Sequence, residues 1–206
     1  GGESRAYLDY IIDTLPRPFP LHSKGSLQSG NQEANLASLA FLGVHKNPSR
    51  AVYPPQKVLL TFGGEDSEGL TELLCHKLVE RNFFSAEQIW VCKGPLFKRE
   101  LLLPPNVTVF GPVAELSTYL HRYDLVFTSF GLTCFEAIAA GVPTLLLNPS
   151  RYHHRCTLAA GLPHIGVKTL QTGRLRASLE QLPAILTAEQ NTIPHVSSSL
   201  MDFLQE

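Results

Sequence analysis

The chain has 206 residues, 44% of them hydrophobic and 17% charged, and a net charge of −1. That apolar content suits one or two globular domains with a real core, and the lack of a long basic run excludes a nucleic-acid surface that tracks phosphates. No apolar stretch reaches the roughly 18 residues needed to span a bilayer; the longest, 137–147, is broken by Gly141 and Pro143. The start, Gly1-Gly2-Glu3-Ser4-Arg5, has no apolar signal-peptide core and no initiator Met, and reads as the beginning of a piece excised from something longer. Cys75, Cys92, Cys134 and Cys156 form no C-x-x-C pair, so zinc and redox motifs are absent. The first three sit in apolar runs and read as buried thiols in a reducing, cytoplasmic compartment.

Residues 1–55 read as irregular. A strand candidate, Leu8-Asp9-Tyr10-Ile11-Ile12, is followed by Pro16, Pro18 and Pro20, then by a polar stretch at 22–33. A second apolar run, Leu39-Ala40-Phe41-Leu42-Gly43-Val44, precedes Pro54-Pro55. Proline and glycine at this density argue against long regular elements. The expectation is an inter-domain connection, or the remnant of a preceding domain, in 1–55, with one α/β domain in 56–206.

From Lys57 the pattern alternates. Val58-Leu59-Leu60-Thr61-Phe62 reads as a buried strand and Gly63-Gly64 as its turn. Residues 67–81 read as a helix, with Leu70, Leu73, Leu74 and Leu78 at helical spacing. Strands are expected at 88–92 and 107–110, and a short helix at 113–121. A strand at 125–128, a helix at 132–140 and a strand at 144–147 follow. The last expected elements are a helix at 152–160, a strand at 164–167, and helices near 174–185 and 195–205. Continuously apolar strands alternating with helices predict a doubly wound α/β fold, a parallel sheet covered on both faces. Such sheets bind ligands at the carboxyl ends of their strands. Gly63-Gly64, Phe110-Gly111 and 129–136 should therefore share one rim.

Three rim motifs carry chemistry. Gly63-Gly64 lets the backbone approach a ligand, and the helix that follows offers unpaired N–H groups to an anion. The bland alternative is a turn with Asp66 or Ser67 as the helix cap, and Glu65 and Asp66 would repel a diphosphate. The motif is neither a Walker loop nor G-x-G-x-x-G. In the second motif, Thr128-Ser129-Phe130-Gly131-Leu132-Thr133-Cys134-Phe135-Glu136, Ser129 and Thr133 can donate to phosphate oxygens and Gly131 permits close approach. Glu136 lies one turn into the helix, where a carboxylate can accept two ribose hydroxyls. The alternative has Ser129 or Thr133 as a cap and Glu136 merely favourable near the positive helix end. In the third, Asn148-Pro149-Ser150-Arg151-Tyr152-His153-His154-Arg155, paired His and flanking Arg can meet a sugar or a phosphate; the alternative is a solvated helix start. Metal binding is not expected there, because adjacent His side chains point about 100° apart on a helix and no carboxylate completes a ligand set.

The run from Asn106 to Leu147, NVTVFGPVAELSTYLHRYDLVFTSFGLTCFEAIAAGVPTLLL, resembles the C-terminal nucleotide-sugar-binding domain of GT-B glycosyltransferases. It is most like the glycosyltransferase that makes lipid II and the UDP-sugar hydrolase of pseudaminic acid biosynthesis, with its spore-coat-polysaccharide relatives. Gly131-Leu132-Thr133-Cys134-Phe135-Glu136 looks especially like the hydrolase's G-x-T-C-aromatic-E. The resemblance covers 57 to about 168. It implies a UDP-linked nucleotide sugar as partner, no further cofactor, and a role in cell-surface polysaccharide synthesis. Gly63 and Gly64 would face the diphosphate or donor sugar. The backbone at Phe110 and Gly111, with Val113, would hold the uracil. Ser129, Gly131, Leu132 and Thr133 would line the phosphates, Glu136 would take the ribose hydroxyls, and His153 and His154 would lie near the donor sugar. The family's catalytic base resembles a His of the N-terminal domain, which these residues do not include. A rival of another class is a non-catalytic α/β module that kept the sheet and lost its ligand, with Glu65 and Phe130 in its favour.

Overall fold

The alternation of apolar strands and helices produces one mixed layer. The computed structural model describes residues 53–170 and 172–182, together with Tyr7, 12–13, 36–37 and 42–45. Two short parallel strands, β1 (Ile12–Asp13) and β2 (Leu36–Ala37), pair with each other. The main layer then runs β3 (Val58–Leu60), α1 (Leu70–Glu80), β4 (Ile89–Cys92), β5 (Thr108–Phe110), β6 (Leu125–Thr128), α2 (Leu132–Ala139) and β7 (Thr144–Asn148). It ends with α3 (Arg151–Ala159), β8 (His164–Val167), β9 (Thr169–Leu170) and α4 (Thr172–Glu180). The main sheet has the order β5-β4-β3-β6-β7-β8-β9. Every pairing is parallel except β8 with β9, which is antiparallel.

Strand residues alternate between two apolar layers, as a sheet covered on both faces requires. Val58, Leu60, Leu125, Phe127, Leu145 and Leu147 enter a core with Leu70, Leu74 and Leu78 of α1 and Leu175 of α4. Leu59 and Val126 face the opposite way, against Ala137 of α2 and Val142. Leu146 joins Cys134, Phe135 and Ile138 of α2. Val44 and Leu42 pack against this second layer. Phe127 is fully buried, and its truncation to Ala would cost about 3–5 kcal/mol in transfer and cavity terms. All four cysteines are buried free thiols; burial pushes Cys75 and Cys134 up to about 12 and Cys92 to about 11.

The strand order places a reversal at one point. From β3 the chain steps outward to β4 and β5, then returns to β6 on the other side of β3 and steps outward again. At the amino end the two halves are pinned by Asp124, whose Oδ2 accepts the N–H groups of Gln56 and Lys57, both at 2.8 Å. The carboxyl ends of β3 and β6 are thus the switch point, the place where open α/β sheets have the crevice that takes their ligands.

Several expected elements differ in detail. The helix expected at 113–121 is two 3-10 turns, Leu116–Thr118 and Leu120–Arg122. Thr118 Oγ1 returns a hydrogen bond to the Glu115 carbonyl (2.8 Å), a local bond that competes with helix propagation. Helix α1 starts at Leu70 rather than 67, because Asp66 and Gly69 hold positive φ of 49° and 69°. Strand β9 is unforeseen, and the helix expected at 174–185 is α4. Most of the strand candidate at 8–12, the polar stretch at 22–33, Pro16, Pro18, Pro20 and the helix near 195–205 lie outside the described residues. No helix among the described residues is long and apolar enough to cross a membrane.

Candidate functional site

The rim of the crevice is a continuous relay of backbone contacts. Gly63-Gly64 leaves β3 directly beside β6, since the Thr61 N–H donates to the Phe127 carbonyl at 3.0 Å. The loop after β4 is laid on this turn: the Leu96 N–H donates to the Gly64 carbonyl (2.9 Å), and a Cβ on Gly94 would collide with the carbonyl oxygens of Gly63 and Gly64. Next along the edge, the Lys93 N–H donates to the Phe110 carbonyl (2.9 Å). A Cβ on Gly111, whose φ is +108°, would come within 2.5 Å of the Lys93 carbonyl oxygen. Gly111 is thus required by strand packing, and one lone pair of the Phe110 carbonyl is already used. Val113 and Phe110 are half-buried against the α2-side core.

The two turns beside the crevice treat their helices differently. After β3, the buried carboxylate of Asp66 accepts the N–H groups of Leu70 (2.8 Å) and Thr71 (2.9 Å). The N-terminus of α1 is therefore filled by the chain's own anion. After β6, the cap position of α2 is Gly131, in extended conformation, and no side chain caps the helix. Neither Ser129 nor Thr133 makes the capping bond expected of a helix start. The Cys134 N–H turns back to the Gly131 carbonyl at 3.2 Å. The N–H groups of Leu132 and Thr133 have no acceptor among the described residues.

Glu136 completes this end of α2. Its carboxylate is half-buried and has no hydrogen-bond or ion-pair partner among the described residues. Burial pushes its pKa above the ordinary carboxylate range. An unpartnered, partly desolvated carboxylate beside a crevice is a candidate binding group.

Asn148, the first residue of the third motif, braces the turn, a role the motif does not show. It is fully buried at the end of β7. Its Oδ1 accepts the Phe130 N–H (3.0 Å) and its Nδ2 donates to Thr157 Oγ1 (3.0 Å). Thr157 in turn donates to the His153 carbonyl at 2.9 Å. The signal was a polar residue closing the apolar run Thr144-Leu145-Leu146-Leu147. Gly94, also missed, left no signal, because its role depends on a contact across the sheet. Phe130 packs its ring on Phe135, 5.4 Å between centroids, and belongs to the core beneath α2.

The two histidines separate. The third motif starts α3, where Ser150 Oγ caps the helix through the His153 N–H and meets His153 Nδ1 at 2.7 Å. His154 turns to His164 of β8 instead, 4.8 Å between ring centroids. In the sheet, β8 is separated from β6 by β7. The structure thus gathers Gly63, Gly64, Ser129, Gly131, Leu132, Thr133 and Glu136 around the switch point. It places Phe110, Gly111 and Val113 toward one edge of the rim, and His153 and His154 toward the other.

Comparison with known proteins bears on the fold. No family model matches the chain. An uncharacterized protein of Methanocaldococcus jannaschii is 27% identical over 112 residues, which is 49% of this chain and 22% of that protein. Among solved structures, the glycotransferase of kitacinnamycin is similar with a TM-score of 0.50 at 23% identity, over 74% of this chain and 41% of its own. UGT89C1 of Arabidopsis thaliana, complexed with UDP-L-rhamnose, has a TM-score of 0.47 at 14% identity, over 75% of this chain and 43% of its own. The chain spans less than half the length of each of these proteins. What the comparison fixes is the fold: a Rossmann-like α/β layer matching part of a GT-B glycosyltransferase.

Proposed function

We propose that the crevice between β3 and β6 is the donor site of a nucleotide-sugar enzyme, and that 56–206 is its C-terminal, donor-binding domain. The observation that carries this reading is the N-terminus of α2, at the sheet's switch point, with no side-chain cap and with the unpartnered Glu136 one turn in. A diphosphate meets the N–H groups of Leu132 and Thr133, the positive end of the helix dipole, and the hydroxyls of Ser129 and Thr133. Gly63, Gly64 and Gly131 let the backbone come close. The Glu136 carboxylate accepts the ribose hydroxyls. With the base toward Phe110, Gly111 and Val113, the sugar points toward α3 and His153.

The donor is a UDP-linked sugar in this reading, and the reaction is attack on its anomeric carbon by an acceptor hydroxyl or by water. The C–O bond to the diphosphate breaks, and UDP leaves with the bonding electrons. The contribution of this domain is to stabilise that developing charge at α2. The base that takes the nucleophile's proton belongs to an N-terminal domain, with 1–55 as the connection. Gly131–Glu136, in its likeness to the UDP-sugar hydrolase, favours water as the nucleophile, and cell-surface polysaccharide synthesis is the setting it implies.

A second reading, a non-catalytic module that kept the sheet alone, is favoured by Asp66, which already fills the α1 N-terminus. Titration calorimetry with UDP and UDP-sugars separates the two. The donor reading expects saturable heat with UDP, no turnover by the chain alone, and weaker binding in Glu136→Ala. A folded sample that gives no heat with any of these ligands refutes it.

A further inference from the structure

Ser150 makes two contacts with one residue. Its Oγ accepts the His153 N–H at 3.3 Å, the cap of α3, and lies 2.7 Å from His153 Nδ1. A hydroxyl has one proton to give and two lone pairs to offer, and the backbone N–H takes one of the pairs. With the ring proton on Nδ1, two N–H groups would converge on the oxygen, and the hydroxyl proton would have no acceptor among the described residues. With the hydroxyl proton aimed at Nδ1, every group of the pair is satisfied. Nδ1 is then an acceptor, and the neutral ring carries its proton on Nε2.

Nε2, on the far side of the ring, has no hydrogen-bond partner among the described residues. The fold sets His153 beside the open turn. Helix α3 starts at the carboxyl end of β7, one strand spacing, about 5 Å, from β6. The His153 carbonyl accepts Thr157 Oγ1 (2.9 Å), Thr157 accepts Asn148 Nδ2 (3.0 Å), and Asn148 Oδ1 holds the Phe130 N–H (3.0 Å). That relay sets the first turn of α3 against the turn at 129–131. The ring itself is half-buried and meets Tyr152 at near right angles, 5.6 Å between centroids.

We propose that Ser150 is a positioning residue: it holds His153 in the Nε2–H tautomer, which makes His153 a neutral hydrogen-bond donor to the β-phosphate of the nucleotide. The phosphate contact rests on the donor reading above, and the tautomer does not. Phosphate oxygens only accept, so a ring with its proton on Nδ1 would turn a lone pair toward them and repel them. A neutral donor leaves the charge of the diphosphate to the end of α2, and adds a bond that strengthens as UDP leaves.

The tautomer is read by long-range nitrogen–proton NMR of the imidazole in mildly alkaline solution, with His153 assigned by its loss in His153→Ala. The wild type and Ser150→Thr, which keeps the hydroxyl, are expected to show Nε2–H. Ser150→Asp keeps the cap but its carboxylate only accepts, so the ring proton should move to Nδ1. A wild type with Nδ1–H, or no change in Ser150→Asp, overturns the role of Ser150. The contact is read by calorimetry with UDP and UMP, which differ in the β-phosphate. His153→Ala should weaken UDP about threefold to tenfold and leave UMP unchanged. His153→Gln, which keeps an N–H donor, should recover most of that loss. Unchanged UDP affinity in His153→Ala, or an equal loss for UMP, overturns the contact. If neither nucleotide binds, the donor reading and the phosphate contact fail together, and the NMR result still decides the pairing of Ser150 with His153.

Discussion

The turns after β3 and after β6 are the same device, a strand, a small-residue turn and a helix start, side by side at the sheet's reversal. One is closed and the other is open. After β3 the Asp66 carboxylate occupies the N-terminus of α1 at 2.8 and 2.9 Å, and Asp66 is itself buried. After β6 no side chain caps α2, and Glu136, one turn into that helix, has no partner among the described residues and a raised pKa. The difference teaches that a glycine turn before a helix does not by itself mark an anion site. What marks it is whether the chain has already satisfied the helix end.

The sharpest way to break the open turn is to remove its brace. Asn148→Ala leaves the half-buried Phe130 N–H without its acceptor, while the Thr157 hydroxyl loses one donor and keeps its bond to the His153 carbonyl. Urea denaturation should show a loss of about 2–3 kcal/mol, combining one unsatisfied N–H with a small buried cavity. A loss below about 1 kcal/mol would mean that the turn holds its shape without Asn148. The closed turn should respond to Asp66→Ala with a loss of about 2–3 kcal/mol, through two N–H groups losing their acceptor. Nucleotide affinity should then stay within about twofold, because α1 is not the phosphate helix in this account. A large change in affinity with little change in stability would exchange the roles of the two turns.

The open turn was legible in the sequence because its parts are local. Strands β6 and β8 fell where continuous apolar runs end at Asp124, Ser129 and Lys168, and α2 stopped at Gly141. The strand order was implied only in class. That β3 and β6 are neighbours, which makes Gly63-Gly64 and Ser129–Gly131 one crevice, comes from crossovers that no local pattern encodes. The same limit hid Gly94, a lone glycine in a loop whose place beneath Gly63 and Gly64 exists only across strands. The expected helix at 113–121 failed for a local reason that periodicity overlooks: Thr118 bonds back to Glu115, and the backbone stays in 3-10 turns. His153 and His154 are expected about 100° apart on a helix, but both near the donor sugar. Helix geometry divides them, with one ring on Ser150 and the other on His164.

Glu136 gives the next prediction, and its sign follows from linkage. Burial raises its folded-state pKa above the unfolded value, so the folded state binds more protons in the interval between the two. Glu136 therefore favours the fold below the ordinary carboxylate pKa, and that contribution is lost as pH rises through the raised value. Glu136→Gln should flatten this part of the stability–pH curve. Only the ionised carboxylate offers both oxygens as charged acceptors to the ribose hydroxyls, so UDP affinity should fall as pH drops through the same interval. At neutral pH, Glu136→Gln should weaken UDP about tenfold, close to one charged hydrogen bond. An unchanged Kd would remove Glu136 from the ribose role and leave the stability effect standing.

The smallest effect is the one that most directly compares the helix ends. Ser150 caps α3 through the His153 N–H, so Ser150→Ala should cost about 1 kcal/mol. Ser129 and Thr133 make no capping bond to α2, so Ser129→Ala and Thr133→Ala should each change stability by less than about 0.5 kcal/mol. Their effect should appear in binding instead, as a loss of about threefold to tenfold in UDP affinity for each hydroxyl. In the proposed donor site these two hydroxyls, which make no capping bond, meet the diphosphate. If either substitution destabilises the protein as much as Ser150→Ala and leaves UDP affinity unchanged, the hydroxyls serve the fold, and the two turns beside the crevice are alike.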